Sequence, residues 1–196
     1  MASGRPERND AAVNRERILA AARRLFAEQG SGAVSMDAVA AAAGVGKGTI
    51  FRRFGDRAGL TQALLDEHMT ALQDEFLTGP PPLGPGAPPA ARIEAFVVAL
   101  VRMQYDNLPL ALAADDGAEV TGVVLLHLRV LLQELDPTLD ADVVATMLLG
   151  AIAPPVIARL RNELTISPEV LATSAIALLR GLTPKDAAAG GDVPAG

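Results

Sequence analysis

The sequence predicts an all-α protein, and three observations carry that expectation. Half of its 196 residues are hydrophobic but only 3% are aromatic, and Ala and Leu, which favour helices over sheets, dominate the apolar content. Apolar residues recur at helical intervals in one segment after another. No stretch reads as a credible strand, and about nine helices with no internal repeat account for the chain.

Residues 1–12 are polar and aperiodic and are expected to form a disordered arm, whose Arg5 and Arg8 can trail along a phosphate backbone or simply be solvated. The first helix, about 14–29, places Ile18, Ala22, Leu25 and Phe26 on one face, and Gly30 suits its C-cap. Ser31-Gly32 makes a short turn. Ser35 then N-caps a short helix with Asp37 in its first turn and Met36, Val39, Ala40 and Ala43 on its apolar face. Gly44 follows, where a left-handed cap needs a residue without a Cβ, and Val45 plugs the turn. A second short helix from about Lys47 buries Ile50 and Phe54. Asp56 is placed to N-cap a long helix to about Thr78, with Leu60, Leu64, Leu65, Leu72 and Phe76 at helical intervals.

Residues 78–89 hold six prolines and three glycines, a density no helix survives. The next helix, about 90–107, gathers Ile93, Phe96, Val97, Leu100, Val101 and Gln104 on one side. Pro109 restarts a short helix to about Ala114, and Asp115-Asp116-Gly117 turns the chain. A strongly apolar helix over 119–135 ends at Asp136-Pro137. A further helix from Asp140 to Leu164 is expected to kink or break at Pro154-Pro155. Ser167, Pro168 and Glu169 open a last helix to about Leu182, closed by Gly181 and Pro184, with 184–196 as a disordered tail.

The net charge of −6 conceals a split. Residues 1–57 hold ten Lys/Arg against six Asp/Glu, while the remainder holds seven against seventeen. That asymmetry points to a nucleic-acid face at the N-terminal end and an acidic body that repels phosphate. The absence of cysteine excludes disulfides, thiol catalysis and Cys-bound metal. There is no secretory signal, and no apolar run approaches the roughly 18 residues of a membrane span, so a soluble, cytoplasmic protein without membrane association is expected.

The stretch from Ser35 to Phe54 combines an apolar-faced helix, a glycine turn and a basic helix, the helix-turn-helix pattern. With its flanks it resembles the TetR family of bacterial transcriptional regulators. The matching residues are 17–30 (RILAAARRLFAEQG), Ser35, Ala43-Gly44-Val45, Lys47 to Phe51, Phe54 and Arg57 to Leu60. The match covers about residues 14–65, roughly a third of the chain. If Lys47 to Phe54 is the recognition helix, Lys47 and Thr49 reach base edges or phosphates and Gly48 lets the backbone approach closely. Ser35, Arg52, Arg53 and Arg57 are then phosphate partners. In the family, the place of Phe51 is usually a tyrosine whose hydroxyl binds phosphate, and that of Gly46 usually a serine cap. Both departures remove a polar contact, although the Phe51 ring can still pack on a sugar or a thymine methyl.

The resemblance implies residues 13–57 as the DNA-binding domain and 58–183 as an effector-binding and dimerisation domain. It also implies a homodimer presenting two reading heads to a near-palindromic double-stranded operator, and release by a small effector. The last two long helices offer Val144, Met147, Leu148, Leu171, Ala175, Ile176 and Leu179 as a dimer interface, with Val143 and Ile152 beside them; the same faces can instead fill the monomer's own core. His68, Phe96, Leu100, Met103, Gln104 and His127 are candidate effector contacts. His127 stands on a stripe formed by Val120, Val123, Val124, Val130 and Leu131, where a hydrogen-bonded core histidine is the commoner outcome. With few aromatics and no clustered cations, an apolar or weakly polar effector fits better than a polyanion. No P-loop, dinucleotide motif, nucleophile elbow or metalloprotease helix occurs, so neither catalysis nor a cofactor or metal is expected. The competing classes are a helical effector-binding dimer whose DNA-reading end has decayed, and a small helical enzyme.

Overall fold

The computed structural model describes residues 5–30, 32–113 and 122–182. Among them the chain forms ten helices and no strand: α1 (Arg5–Gln29), α2 (Met36–Ala43), α3 (Lys47–Phe54), α4 (Arg57–Thr78), α5 (Pro89–Asp106), α6 (Leu108–Ala113), α7 (Gly122–Leu135), α8 (Ala141–Ala151), α9 (Pro154–Leu164) and α10 (Pro168–Leu182). The tenth helix arises where a kink or break was expected. Pro154 opens α9 because a proline cannot extend the ladder of α8, and the two helices are bent by 41°. No single helix among the described residues is long and apolar enough to cross a membrane.

Helix ends follow the side chains that close them. Gly30 takes φ +79 and returns its N–H to the Phe26 carbonyl at 3.0 Å. Asp56 accepts from the Gly59 N–H at 2.9 Å at the start of α4, and Asp140 from the Val143 N–H at 3.2 Å at the start of α8. At one end the expectation fails: α1 begins at Arg5, so residues 5–12 continue the helix rather than forming an arm. Pro6 falls in the first turn, where its missing N–H costs no bond, and no breaker separates it from the amphipathic part. Gly181 lies inside α10 rather than closing it. Residues 1–4, Ser31, the turn at 115–117, the start of the 119–135 helix and the tail at 184–196 lie outside the described residues.

The chain divides into two compact units, the described residues within Met1–Asp74 and Met103–Glu119 and those within Glu75–Arg102 and Val120–Gly196. In the first, α1 packs on α2 and α2 on α3. Ile18, Leu19, Ala22 and Phe26 share a core there with Val39, Ala43, Ile50, Phe54, Leu64 and Leu110. Ile50 is fully buried, and that burial alone favours the docked helix by about 1.5–3 kcal/mol. In the second, α8 packs against both α7 and α10, burying Leu128, Leu132, Ala145, Leu149, Leu171 and Ala175 among others. The α7 stripe differs from expectation: Val124 and Leu131 are buried, but Val123 and Val130 face solvent. Apolar residues surround that helix, so periodicity alone did not fix its inner face.

Candidate nucleic-acid interface

The geometry of α2 and α3 is set by what lies on either side of them. Ser35 has extended backbone angles, and its hydroxyl oxygen accepts the Ala38 N–H at 3.1 Å. Val34, just before the cap, is buried together with Val39, the pairing that fixes the angle at which a chain enters a helix. Val34 was not anticipated, though its spacing from Val39 is legible in the sequence. At the other end Gly44 adopts φ +65, ψ +37; its N–H reaches the Ala41 carbonyl at 3.2 Å and the Val45 N–H reaches Ala40 at 3.0 Å. That closed pair of bonds needs the left-handed residue that glycine supplies. The turn is therefore rigid, and α3 leaves it with a fixed face outward.

Ile50 and Phe54 point into the core, which leaves Gly48, Phe51 and Arg52 exposed on the other sides of α3, with Lys47 exposed at its N-terminal end. Phe51 is 45% exposed, a large apolar ring held in water. Lys47 is exposed and pairs with the Asp37 carboxylate on α2. Thr49 is half-buried and Arg53 exposed. A Cβ on Gly48 would meet nothing within 4 Å, so the backbone there is open to close approach. Gly46 sits at the N-cap of α3 with φ −70, ψ 146 and supplies no side-chain bond. Any residue can adopt those angles, so glycine here is not required by the backbone.

Arg57 does not simply extend outward: its guanidinium donates to the Gly32 carbonyl at 3.2 Å and so ties α4 to the loop before α2. Arg15 lies over the Phe54 ring at 5.5 Å, a contact that fastens α1 to the end of α3. Ser35, Gly46, Lys47, Gly48, Thr49, Phe51, Arg52, Arg53 and Arg57 thus fall on α2, α3, the turns beside them and the first residue of α4, all within the first unit.

The candidate effector residues are divided between the units. Phe96 and His127 come together in the second: His127 stacks on Phe76 with ring centroids 4.1 Å apart and lies 5.2 Å from Phe96. Its Nε2 is buried without a hydrogen-bond partner. Burial, and secondarily the Arg92 cation, lowers the His127 pKa to about 4, so the ring is neutral at pH 7. Leu100 is buried in the same unit. His68, Met103 and Gln104 belong to the first unit, each half-buried. Burial, with the nearby Arg23 cation, holds His68 below the usual imidazole pKa against an opposing pull from Glu67.

Of the dimer candidates, Leu148, Leu171, Ala175 and Leu179 are buried within the chain's own core, Val144 and Ile176 are half-buried, and Met147 is exposed. Val143, Val170 and Leu178 join Met147 as large apolar side chains facing solvent on α8 and α10.

Comparison with known proteins agrees with this reading of the N-terminal region. Residues 18–64 match the family model for bacterial regulatory proteins of the tetR family. The HTH-type transcriptional regulator SAB2452 of Staphylococcus aureus (strain bovine RF122 / ET3-1) is 35% identical over 69 residues, covering 35% of this chain and 37% of that protein. The chain therefore spans little more than a third of that relative's length in the match. Thermus thermophilus FadR, solved with lauroyl-CoA, superposes with a TM-score of 0.66 at 17% identity, over 90% of this chain and 99% of that one. Bacillus subtilis FadR, solved with stearoyl-CoA, gives 0.59 at 19% identity, over 84% and 96%. At such identities the likeness is one of fold. Residues 18–64 thus match the helix-turn-helix region of the tetR family of bacterial regulatory proteins, and the described helices share the fold of these solved regulators.

Proposed function

We propose that the protein is a DNA-binding transcriptional regulator, acting as a repressor, that a small-molecule effector releases from its operator. One observation carries the reading: a capped, glycine-locked α2–α3 pair holds Gly48, Phe51 and Arg52 exposed on the outside of α3, with Lys47 exposed at its N-terminus. Such a helix enters a major groove, with its N-terminal end against base edges and its arginines on phosphates. Residues 13–57 form the reading domain in this proposal, and 58–183 the effector-binding and dimerisation domain.

One short helix reads too few base pairs for useful specificity, so a homodimer presents two to a near-palindromic site. The solvent-facing Val143, Met147, Val170 and Leu178 on the packed pair α8 and α10 support that dimer, with Val144 and Ile176 at its edge. The effector is apolar in its body, as the aromatic surroundings of His127 and the acyl-CoA ligands of the two FadR proteins favour. The protein acts in the cytoplasm, where the operator is.

A gel shift with DNA flanking the protein's own gene tests the reading. The double variant K47A/R53A should lose about 10- to 100-fold in affinity and flatten the slope of log K against log salt by about 2. Unchanged affinity and slope would move DNA contact to another surface.

A further inference from the structure

Three helices of the second unit meet at one aromatic cluster. Phe76 at the end of α4 and Phe96 on α5 are both fully buried, and their rings meet edge-on at 5.3 Å. His127 of α7 completes the cluster. Arg92, one turn before Phe96, donates from Nη2 to the Phe76 carbonyl at 3.2 Å, which fixes its guanidinium against the same group.

Two polar atoms beside these rings have lost water without gaining a partner, Arg92 Nε and His127 Nε2. Native interiors rarely leave such atoms unmatched, and each calls for a water, an ion or a ligand group to meet it. Arg92 cannot shed its proton, so its Nε–H requires an acceptor at every accessible pH. The neutral His127 ring carries one N–H and can present it from Nε2. The nearest acid along α5 is already engaged: Glu94 Oε1 pairs with Arg180 Nη2 at 2.6 Å. The cluster thus offers one permanent cation and up to two donors, bounded by apolar rings.

We propose that Arg92 and His127 form the polar end of a ligand site in the second unit that takes an amphiphilic organic acid, a single carboxylate on an apolar body. The two carboxylate oxygens accept from Arg92 Nε and His127 Nε2, and the body lies against Phe76 and Phe96. A hydrocarbon would leave both donors unmatched, a cation would be repelled by Arg92, and an alcohol supplies no charge to answer the guanidinium. The proposal rests on the effector reading and narrows its chemical class.

Titration calorimetry of the full chain with decanoate and with 1-decanol tests it. Decanoate should bind about tenfold or more tightly than the alcohol. Arg92→Met, which keeps the aliphatic stem, should remove that preference by weakening decanoate about tenfold while leaving 1-decanol within about twofold. Should Arg92→Met fail to fold by circular dichroism, His127→Phe keeps an aromatic ring there while removing both nitrogens and should cut the preference in the same direction. Equal affinity for acid and alcohol, or a preference that survives both substitutions, overturns the acid anchor while leaving an apolar effector standing. Failure of both probes to bind overturns the acid anchor and the effector reading together.

Discussion

The helices α1 to α3 and the cluster around His127 handle polar groups in opposite ways. Among the described side chains from α1 to α3 every buried one is apolar, and Lys47, Arg52 and Arg53 are all on the surface. Around Phe76 and Phe96, Arg92 Nε and His127 Nε2 are buried without hydrogen-bond partners. A region whose chemistry is on its outside needs a rigid, dry core to hold that face still. A region whose chemistry is inside must accept unsatisfied atoms as the condition of binding. The contrast fits the proposed roles, a large charged surface as partner of the first region and a small molecule as that of the second.

Four substitutions break or sharpen that contrast. The largest effect should come from Ile50→Ala, which opens a cavity under α3 and should cost about 2–5 kcal/mol in urea denaturation followed by circular dichroism, with loss of the gel shift. Next comes the acid limb of stability. Since folding lowers the His127 pKa from 6.5 to about 4, the folded state binds fewer protons there. The stability given by the neutral ring is fully present above about pH 6.5 and is lost as pH falls toward 4. His127→Phe should flatten that part of the pH–stability curve and leave DNA affinity at pH 7.5 unchanged.

Smaller effects belong to the exposed face of α3. Phe51→Tyr places a hydroxyl where a solvent-facing ring now has none, and should raise operator affinity about 2- to 10-fold in a gel shift. Asp37→Asn frees Lys47 from its surface ion pair. Thermal stability should change by under about 1 kcal/mol, while DNA affinity rises about twofold at low salt.

The two regions also differed in how far the sequence revealed them. Ser35, Gly44, Ile50 and Phe54 lie within twenty residues of one another, and capping and left-handed preferences act over that range. Their roles were therefore readable before any coordinates. Arg92 was not singled out, because its meaning depends on Phe76 and His127, which are 16 residues behind it and 35 ahead. Only packing brings those three together. The apolar faces of α8 and α10 lay between these cases. Periodicity identified Leu148, Leu171, Ala175 and Leu179 as apolar positions, but a helix with apolar residues on two sides does not announce which side turns inward. The start of α1 was missed for a related reason, since the segment 5–12 is helical without an apolar stripe.

The bare N-cap of α3 has a consequence for motion. Ser35 closes the first turn of α2 from within the chain, whereas Gly46 brings no oxygen to the Lys47 and Gly48 amides. A Cβ at Gly46 would come no closer than 4.0 Å to the Thr49 hydroxyl, so there is room for a serine that the sequence does not use. Those two amides should exchange with deuterium faster than the Ala38 amide at the matching end of α2, and slow once a phosphate oxygen closes the turn. The reading helix would then acquire its finished N-terminus from the duplex it meets.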